Sequence, residues 1–236
     1  MNPDLVFADS RTAEDLRTFV ARARQVDDGG IRLAVTGSVL AATVCVLRPP
    51  GLGESGPTVL GLRTMALLDD AADGLDVTVP LGAVADRLAR AADGGGDARR
   101  RLPVPPTTLT EPWAGIAAPR RGWERLGTVP AERLRGAARH GIDLVRDALP
   151  QDAGSAVLHT VRRSVLARSL PDAAAPGSLE PFAELVPVAA AYAAELLGFL
   201  PGASDDAAAV DDDAVVLAQG RWLRVSTARG HVLVKR

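Results

Sequence analysis

Three short apolar-rich runs close this chain, Ala214 to Ala218, Gly220 to Ser226 and Gly230 to Lys235, and almost nothing separates one from the next. A parallel pair needs a crossover of about a dozen residues or more. These connections are far shorter, so the three runs predict an antiparallel meander. The same constraint acts near the start, where Ile31 to Val35 alternates as a half-buried strand, Gly37-Ser38 suits a tight hairpin turn, and Val39 to Leu47 returns. The fold class expected is α+β: a mainly antiparallel sheet packed with helices, ending in a C-terminal three-stranded meander.

The remaining elements follow from local signals. Asp4 to Ala8 reads as a short strand, Asp9 to Thr12 as a helix cap, and Leu16, Phe19, Val20 and Ala23 as one helical face. Thr58 to Leu67 and Leu75 to Val79 continue the β pattern, and Pro80 to Ala92 looks helical. Residues 1–92 therefore form a β-α-β-β-β unit with a trailing helix. Residues 93–106, with Gly94-Gly95-Gly96 and Arg99-Arg100-Arg101, read as a flexible linker. Residues 107–236 form a helical region carrying the meander, either as a second domain or joined to the first unit in one domain.

The stretch from Pro112 to Leu149 holds two of the three tryptophans and many arginines. Pro112 to Gly127 is too rich in Pro and Gly for a helix or a central strand and reads as an ordered loop over its two indoles. Thr128-Val129-Pro130-Ala131-Glu132 looks like a helix start, and the helix runs to Leu149. Leu134, Ala138, Ile142, Val145 and Leu149 mark its expected buried face, Arg133, Arg135 and Arg139 its wet one, with Arg139 and Asp143 spaced to pair. Val157 to Leu166 marks a further helix. Phe182 to Leu200, apolar nearly all round, predicts a central helix kinked or restarted at Pro187.

Charge narrows the partners. The net charge is −2, which disfavours a general nucleic-acid binder. Its distribution is uneven: residues 119–168 carry ten Arg against five acids, 169–213 nine acids and no base, and 214–236 five bases and no acid. Mutual neutralisation in the fold and an anion-binding surface both fit this pattern. Cys45 is the single cysteine, so no internal disulfide forms and a reducing, cytoplasmic setting is expected. Met1 to Asp4 lacks a secretion signal, and the most apolar run, Leu185 to Leu200, is too short and too interrupted for a membrane span.

Motifs of known chemistry fail on context. Gly51-Leu52-Gly53-Glu54-Ser55-Gly56 matches the dinucleotide pattern but leads into a β segment, whereas the pyrophosphate site needs a helix N-terminus there. No P-loop, nucleophile elbow or zinc helix is present. His140, His159 and His231 are widely separated, and Asp211-Asp212-Asp213 lacks a calcium-loop pattern, so no metal or cofactor is expected. A winged helix would need a basic recognition helix before the hairpin, and residues 188–200 carry only Glu195.

Pro119 to Trp123, Ala193 to Leu200 and Gly220 to Val232 resemble segments of an uncharacterised actinobacterial protein family, a likeness over roughly the C-terminal half that implies no catalytic residues. The leading reading is a non-catalytic cytoplasmic interaction or adaptor protein, because Arg and Trp dominate binding hot spots. The alternative is an enzyme or sensor that binds a phosphorylated small molecule or nucleotide through the same arginines. The expected partner is a protein or an anionic small molecule, with no membrane. Candidate ligand-binding residues are Arg120, Arg121, Trp123, Trp222, Arg224, Arg229 and His231. Trp222 and Arg224 alternate onto one strand face, and the Arg120–Trp123 loop is expected to cover them.

Overall fold

The computed structural model describes residues 3–49, 56–149, 154–170, 181–201 and 213–236. The dinucleotide-like glycines at 51–55, the loop at 171–180 and the acidic residues at 205–212 lie outside them. The chain divides into two compact units, Met1–Cys45 with Leu62–Ala117, and Val46–Gly61 with Ala118–Arg236.

The first unit contains β1 (Asp4–Val6), α1 (Ser10–Val26), β2 (Gly30–Thr36), most of β3 (Val39–Leu47), the latter part of β4 (Thr58–Ala66), β5 (Asp76–Pro80), α2 (Leu81–Asp93) and β6 (Arg101–Pro103). Its strands run in the order β5-β2-β3-β4, and β2 is antiparallel to both β3 and β5. Asp9 caps α1 as expected, accepting from the Thr12 N–H at 2.7 Å. Helix α1 buries Leu16, Phe19, Val20 and Ala23.

The segment read as a flexible linker departs from that expectation. Gly96–Arg100 forms a 3-10 turn, and β6 pairs with β1. The reason is Leu102, whose complete burial fixes a strand that its polar flanks had masked.

Arg32 shows how this unit uses charge. Its Nε and Nη2 donate to the two carboxylate oxygens of Asp76 at 2.7 and 2.6 Å, and Nη1 donates to the Ala114 carbonyl at 2.9 Å. Because Asp76 is half exposed, the pair is partly screened. Asp76→Asn is expected to lower stability by about 1 kcal/mol. Chemical denaturation at low and high salt checks this, since the deficit should shrink as salt screens the wild-type pair.

The second unit holds the start of β4, β7 (Glu124–Val129), α3 (Ala131–Asp147), α4 (Ser155–Leu166), α5 (Val188–Leu196), β8 (Ala214–Gln219), β9 (Trp222–Thr227) and β10 (Gly230–Lys235). Its strand order is β4-β10-β9-β8-β7. The expected three-stranded meander is present, with Val225 and Val234 buried. It is extended by β7, which the sequence reading assigned to loop and helix start. A register shift between Arg125 and Gly127 obscures the alternation of β7, and Gly127 leaves space for the Phe182 ring.

Helix α3 forms where predicted, but its buried face is turned. Ala131, Leu134, Ala137, Ala138 and Gly141 are inside, whereas Ile142 is 39% exposed. Gly141 decides this: a Cβ there would lie 2.7 Å from Val188 Cγ1, so α5 crosses at the glycine and the stripe follows it. Arg135, expected to be wet, keeps only 12% of its side chain exposed and bonds Glu132 and the Pro201 carbonyl. Asp143 pairs with Arg146 rather than Arg139. Helix α5 starts after Pro187 and is buried nearly all round, as its composition demanded.

Candidate functional site

Register arithmetic places the site. The β8–β9 connection turns at Gly220, whose φ of +55 favours glycine, so Gln219 faces Trp222 and Leu217 faces Arg224. The next turn sets Ser226 opposite His231 and Leu233 opposite Arg224. Strand alternation then puts Trp222, Arg224 and Ser226 of β9 on the same face as His231, Leu233 and Lys235 of β10 and Leu217 and Gln219 of β8. Leu223, Val225, Val232 and Val234 take the opposite face, where α5 and Phe199 pack.

The loop before β7 folds onto the first of these faces. Trp123 Nε1 donates to the Pro119 carbonyl at 2.9 Å, closing residues 119–123 into a strap. The Arg224 guanidinium lies over the Trp123 ring, 5.6 Å from its centroid, a cation–π distance. Gly122 adopts φ +81, and a Cβ there would come within 2.8 Å of Gln219 Nε2, so only glycine lets the strap close on β8.

A polar chain runs through the cluster. Arg224 Nε donates to Ser226 Oγ at 2.8 Å, and Ser226 Oγ lies 3.0 Å from His231 Nδ1. Ser226 Oγ thus accepts from Arg224 and shares a second hydrogen bond with His231 Nδ1, whose direction is set by the imidazole tautomer. Burial, and then the charge of Arg224, push the His231 pKa down to about 4, so the imidazole is neutral at pH 7. Burial also draws the Arg224 pKa below its ordinary value. Among the described residues no carboxylate pairs with Arg224, and its Nη groups have no acceptor. Gln219 Oε1 is buried without a donor.

Of the residues singled out by sequence, the geometry joins Trp123, Arg224 and His231, and sets Trp222, 7% exposed, two positions from Arg224 on its face. Arg120 and Arg121 are exposed in the strap. Arg229 is exposed in the β9–β10 turn, where its backbone N–H donates to Thr227 Oγ1 at 3.2 Å. Ser226, Gln219 and Gly122 were missed. The first two were within reach of hairpin register counting; Gly122 carried no signal before the strap was known to close on Gln219.

Elsewhere, a cleft of about 550 Å³ in the first unit is lined by Arg11, Arg17 and Arg99 together with Glu14 and Asp93, a mixed-charge lining in which Arg17 is bonded to Glu14. Among the described residues no group of three His, Cys, Asp or Glu could hold a metal, and no helix is long and apolar enough to cross a membrane.

Residues 118–236 match the model of a domain of unknown function, DUF8185, and residues 1–115 match that of another, DUF8010. No curated protein matches the chain. Solved structures similar to it include the DNA polymerase sliding clamp from Caulobacter crescentus, at 12% identity and a TM-score of 0.47 over 94% of this chain and 63% of that one. Another is the DNA polymerase III subunit beta from Pseudomonas aeruginosa, at 15% identity and a TM-score of 0.47 over 100% of this chain and 64% of that one. The chain thus spans less than two thirds of those proteins, a likeness too distant to carry their partners across.

Proposed function

The chain belongs to the family of the domain of unknown function DUF8185, whose region at 118–236 holds the whole cluster from Trp123 to His231, and we propose that it is a non-catalytic interaction protein that takes an anionic segment of a partner protein on this face. One observation carries the reading: Arg224 is held in place by Trp123 and Ser226, half-buried, with no carboxylate among the described residues to neutralise it. A half-buried, fixed guanidinium with no counter-ion among the described residues is a site for an external one.

The Ser226–His231 contact does not favour catalysis. A serine nucleophile needs a base whose pKa lies near the working pH. His231, at about 4, is too weak a base, and Ser226 Oγ is already accepting from Arg224, which draws electron density away from it.

The test is a thermal-shift and binding panel of acidic peptides set against nucleotides and phosphorylated metabolites. A ligand at 100 times its Kd should stabilise the protein by about 2.7 kcal/mol. Acidic peptides are expected to bind, and Arg224→Gln to weaken them at least tenfold while the circular dichroism spectrum stays unchanged. Equal binding by wild type and Arg224→Gln would remove this site from the function. Stabilisation by phosphorylated metabolites alone would favour a small-molecule sensor that uses the same arginine.

A further inference from the structure

We infer that the partner segment taken on this face carries a cluster of acids, met by Arg125, Arg224 and Lys235 together; this rests on the anion-binding reading of the Arg224 site. Strand register brings the three cations to one face. Arg125 stands opposite Leu217, Leu217 opposite Arg224, and Arg224 opposite Leu233, so these four residues form one row across β7, β8, β9 and β10. Cross-strand partners share a face, which puts Arg125 on the face of Arg224, although the register shift that follows it hides this in the sequence. Neighbouring strands about 4.8 Å apart set the Arg125 and Arg224 backbones about 10 Å from each other. Lys235, two residues beyond Leu233, is the diagonal neighbour of Arg224 at about 7–8 Å.

The fold places no acid against this set. Arg125 is exposed, Arg224 and Lys235 are half-buried, and none of the three pairs with a carboxylate among the described residues. The one acid within β7 to β10 is Glu124, and its pairing with Ala218 sends it to the opposite face. Arg120 and Arg121, exposed in the strap and likewise without an ion pair among the described residues, carry the same sign. Like charges within about one Debye length, ~8–10 Å near physiological salt, repel one another. A ligand that offsets Arg224 alone leaves the other two in that field, whereas a cluster of acids offsets all three.

The spacing fits a peptide. An extended chain advances about 3.3 Å per residue, so acids three residues apart span Arg125 to Arg224 and acids two apart span Arg224 to Lys235. A segment crossing the strands with acids at n, n+3 and n+5 meets all three cations. A protein segment is favoured over a nucleic acid because the basic patch is local: the chain as a whole carries a net charge of −2, so a backbone that continues past the patch gains no further neutralisation.

Three twenty-residue Gly/Ser peptides, N-acetylated and C-amidated so that Glu carries the only charge, test this through quenching of the protein's tryptophan fluorescence. One has a single Glu, one has three Glu at n, n+3 and n+5, and one has three Glu spread along its whole length. The clustered peptide is expected to bind at least fivefold more tightly than the spread one, which has the same net charge. Arg125→Gln and Lys235→Gln should each narrow that gap, and Arg224→Gln should weaken all three peptides, with circular dichroism spectra unchanged.

Single or spread Glu binding as tightly as the cluster, and still depending on Arg224, would overturn the acid cluster and leave anion binding standing. A deoxythymidine dodecamer that binds more tightly than the clustered peptide would overturn the protein partner. No binding by any peptide, or binding indifferent to Arg224→Gln, would overturn the anion-binding reading as well.

Discussion

Phe199→Ala is expected to remove about 3–5 kcal/mol of stability, the usual cost of truncating a buried phenylalanine. Phe199 is 1% exposed, and its ring lies against Gly230 at the start of β10: a Cβ on that glycine would meet Phe199 Cε1 at 2.5 Å and Cδ1 at 2.6 Å. Those distances make the pair a test of packing as well as of burial. In the wild type, Gly230→Ala should cost about 1–3 kcal/mol, because the ring must shift inside a filled core. In the Phe199→Ala background the same methyl enters space that the ring has vacated, and its cost should vanish or change sign. A double-mutant cycle from urea denaturation with unchanged m-values measures this coupling. Additive costs would mean that the glycine and the ring do not share the space the geometry gives them.

The second large effect is on acid stability. His231 titrates near its ordinary 6.5 when unfolded and at about 4 when folded, with burial the larger cause and Arg224 the smaller. Between these values the unfolded chain binds a proton that the folded chain refuses, so stability rises with pH. The contribution is fully present above pH 6.5 and is lost as pH falls toward 4. Between pH 7 and pH 5 the loss from this group alone amounts to about 2 kcal/mol. Denaturation of wild type and His231→Gln at both pH values isolates it, since the variant should lose about 2 kcal/mol less on acidification. Parallel losses in the two proteins would show that His231 is not held neutral by the fold. The Hε1 proton resonance of His231, followed by NMR, gives the titration midpoint directly.

The site and the acid response depend on the same contacts. Ser226 orients both Arg224 and His231, and the cation of Arg224 helps keep the imidazole neutral. Filling the Arg224 fork with a carboxylate offsets that cation, so a bound acid should raise the His231 midpoint toward its ordinary value.

The elements that local rules describe were legible in the residues themselves. Hairpins joined by Gly37-Ser38 and Gly220-Arg221 admit only antiparallel pairing, Asp9 caps α1, and a run apolar but for Glu195, as Val188–Leu196 is, has to be buried nearly all round. These are short-range consequences of turn geometry, backbone hydrogen bonding and side-chain solubility. The alternation of Trp222, Leu223, Arg224 and Val225 belongs with them, since a strand of period two fixes which side chains share a face.

Other features had no local signature. Strand β7 exists because β8 pairs with it across a register shift that destroys the alternation a reader would look for. The buried face of α3 is set by where α5 crosses, at Gly141, and not by the stripe with the most apolar residues, which is why Ile142 is left exposed. Leu102 is drawn into a strand out of an arginine- and glycine-rich stretch because β1 offers it a partner and a buried position. In the site, sequence determined that Arg224 and Trp222 share a face. Only the tertiary structure decided that Trp123 stacks on Arg224, that Ser226 ties the guanidinium to His231 and that Gln219 lies orphaned under Gly122. Periodicity fixes the direction in which a side chain leaves the backbone, but what it meets there depends on which distant segment closes over it.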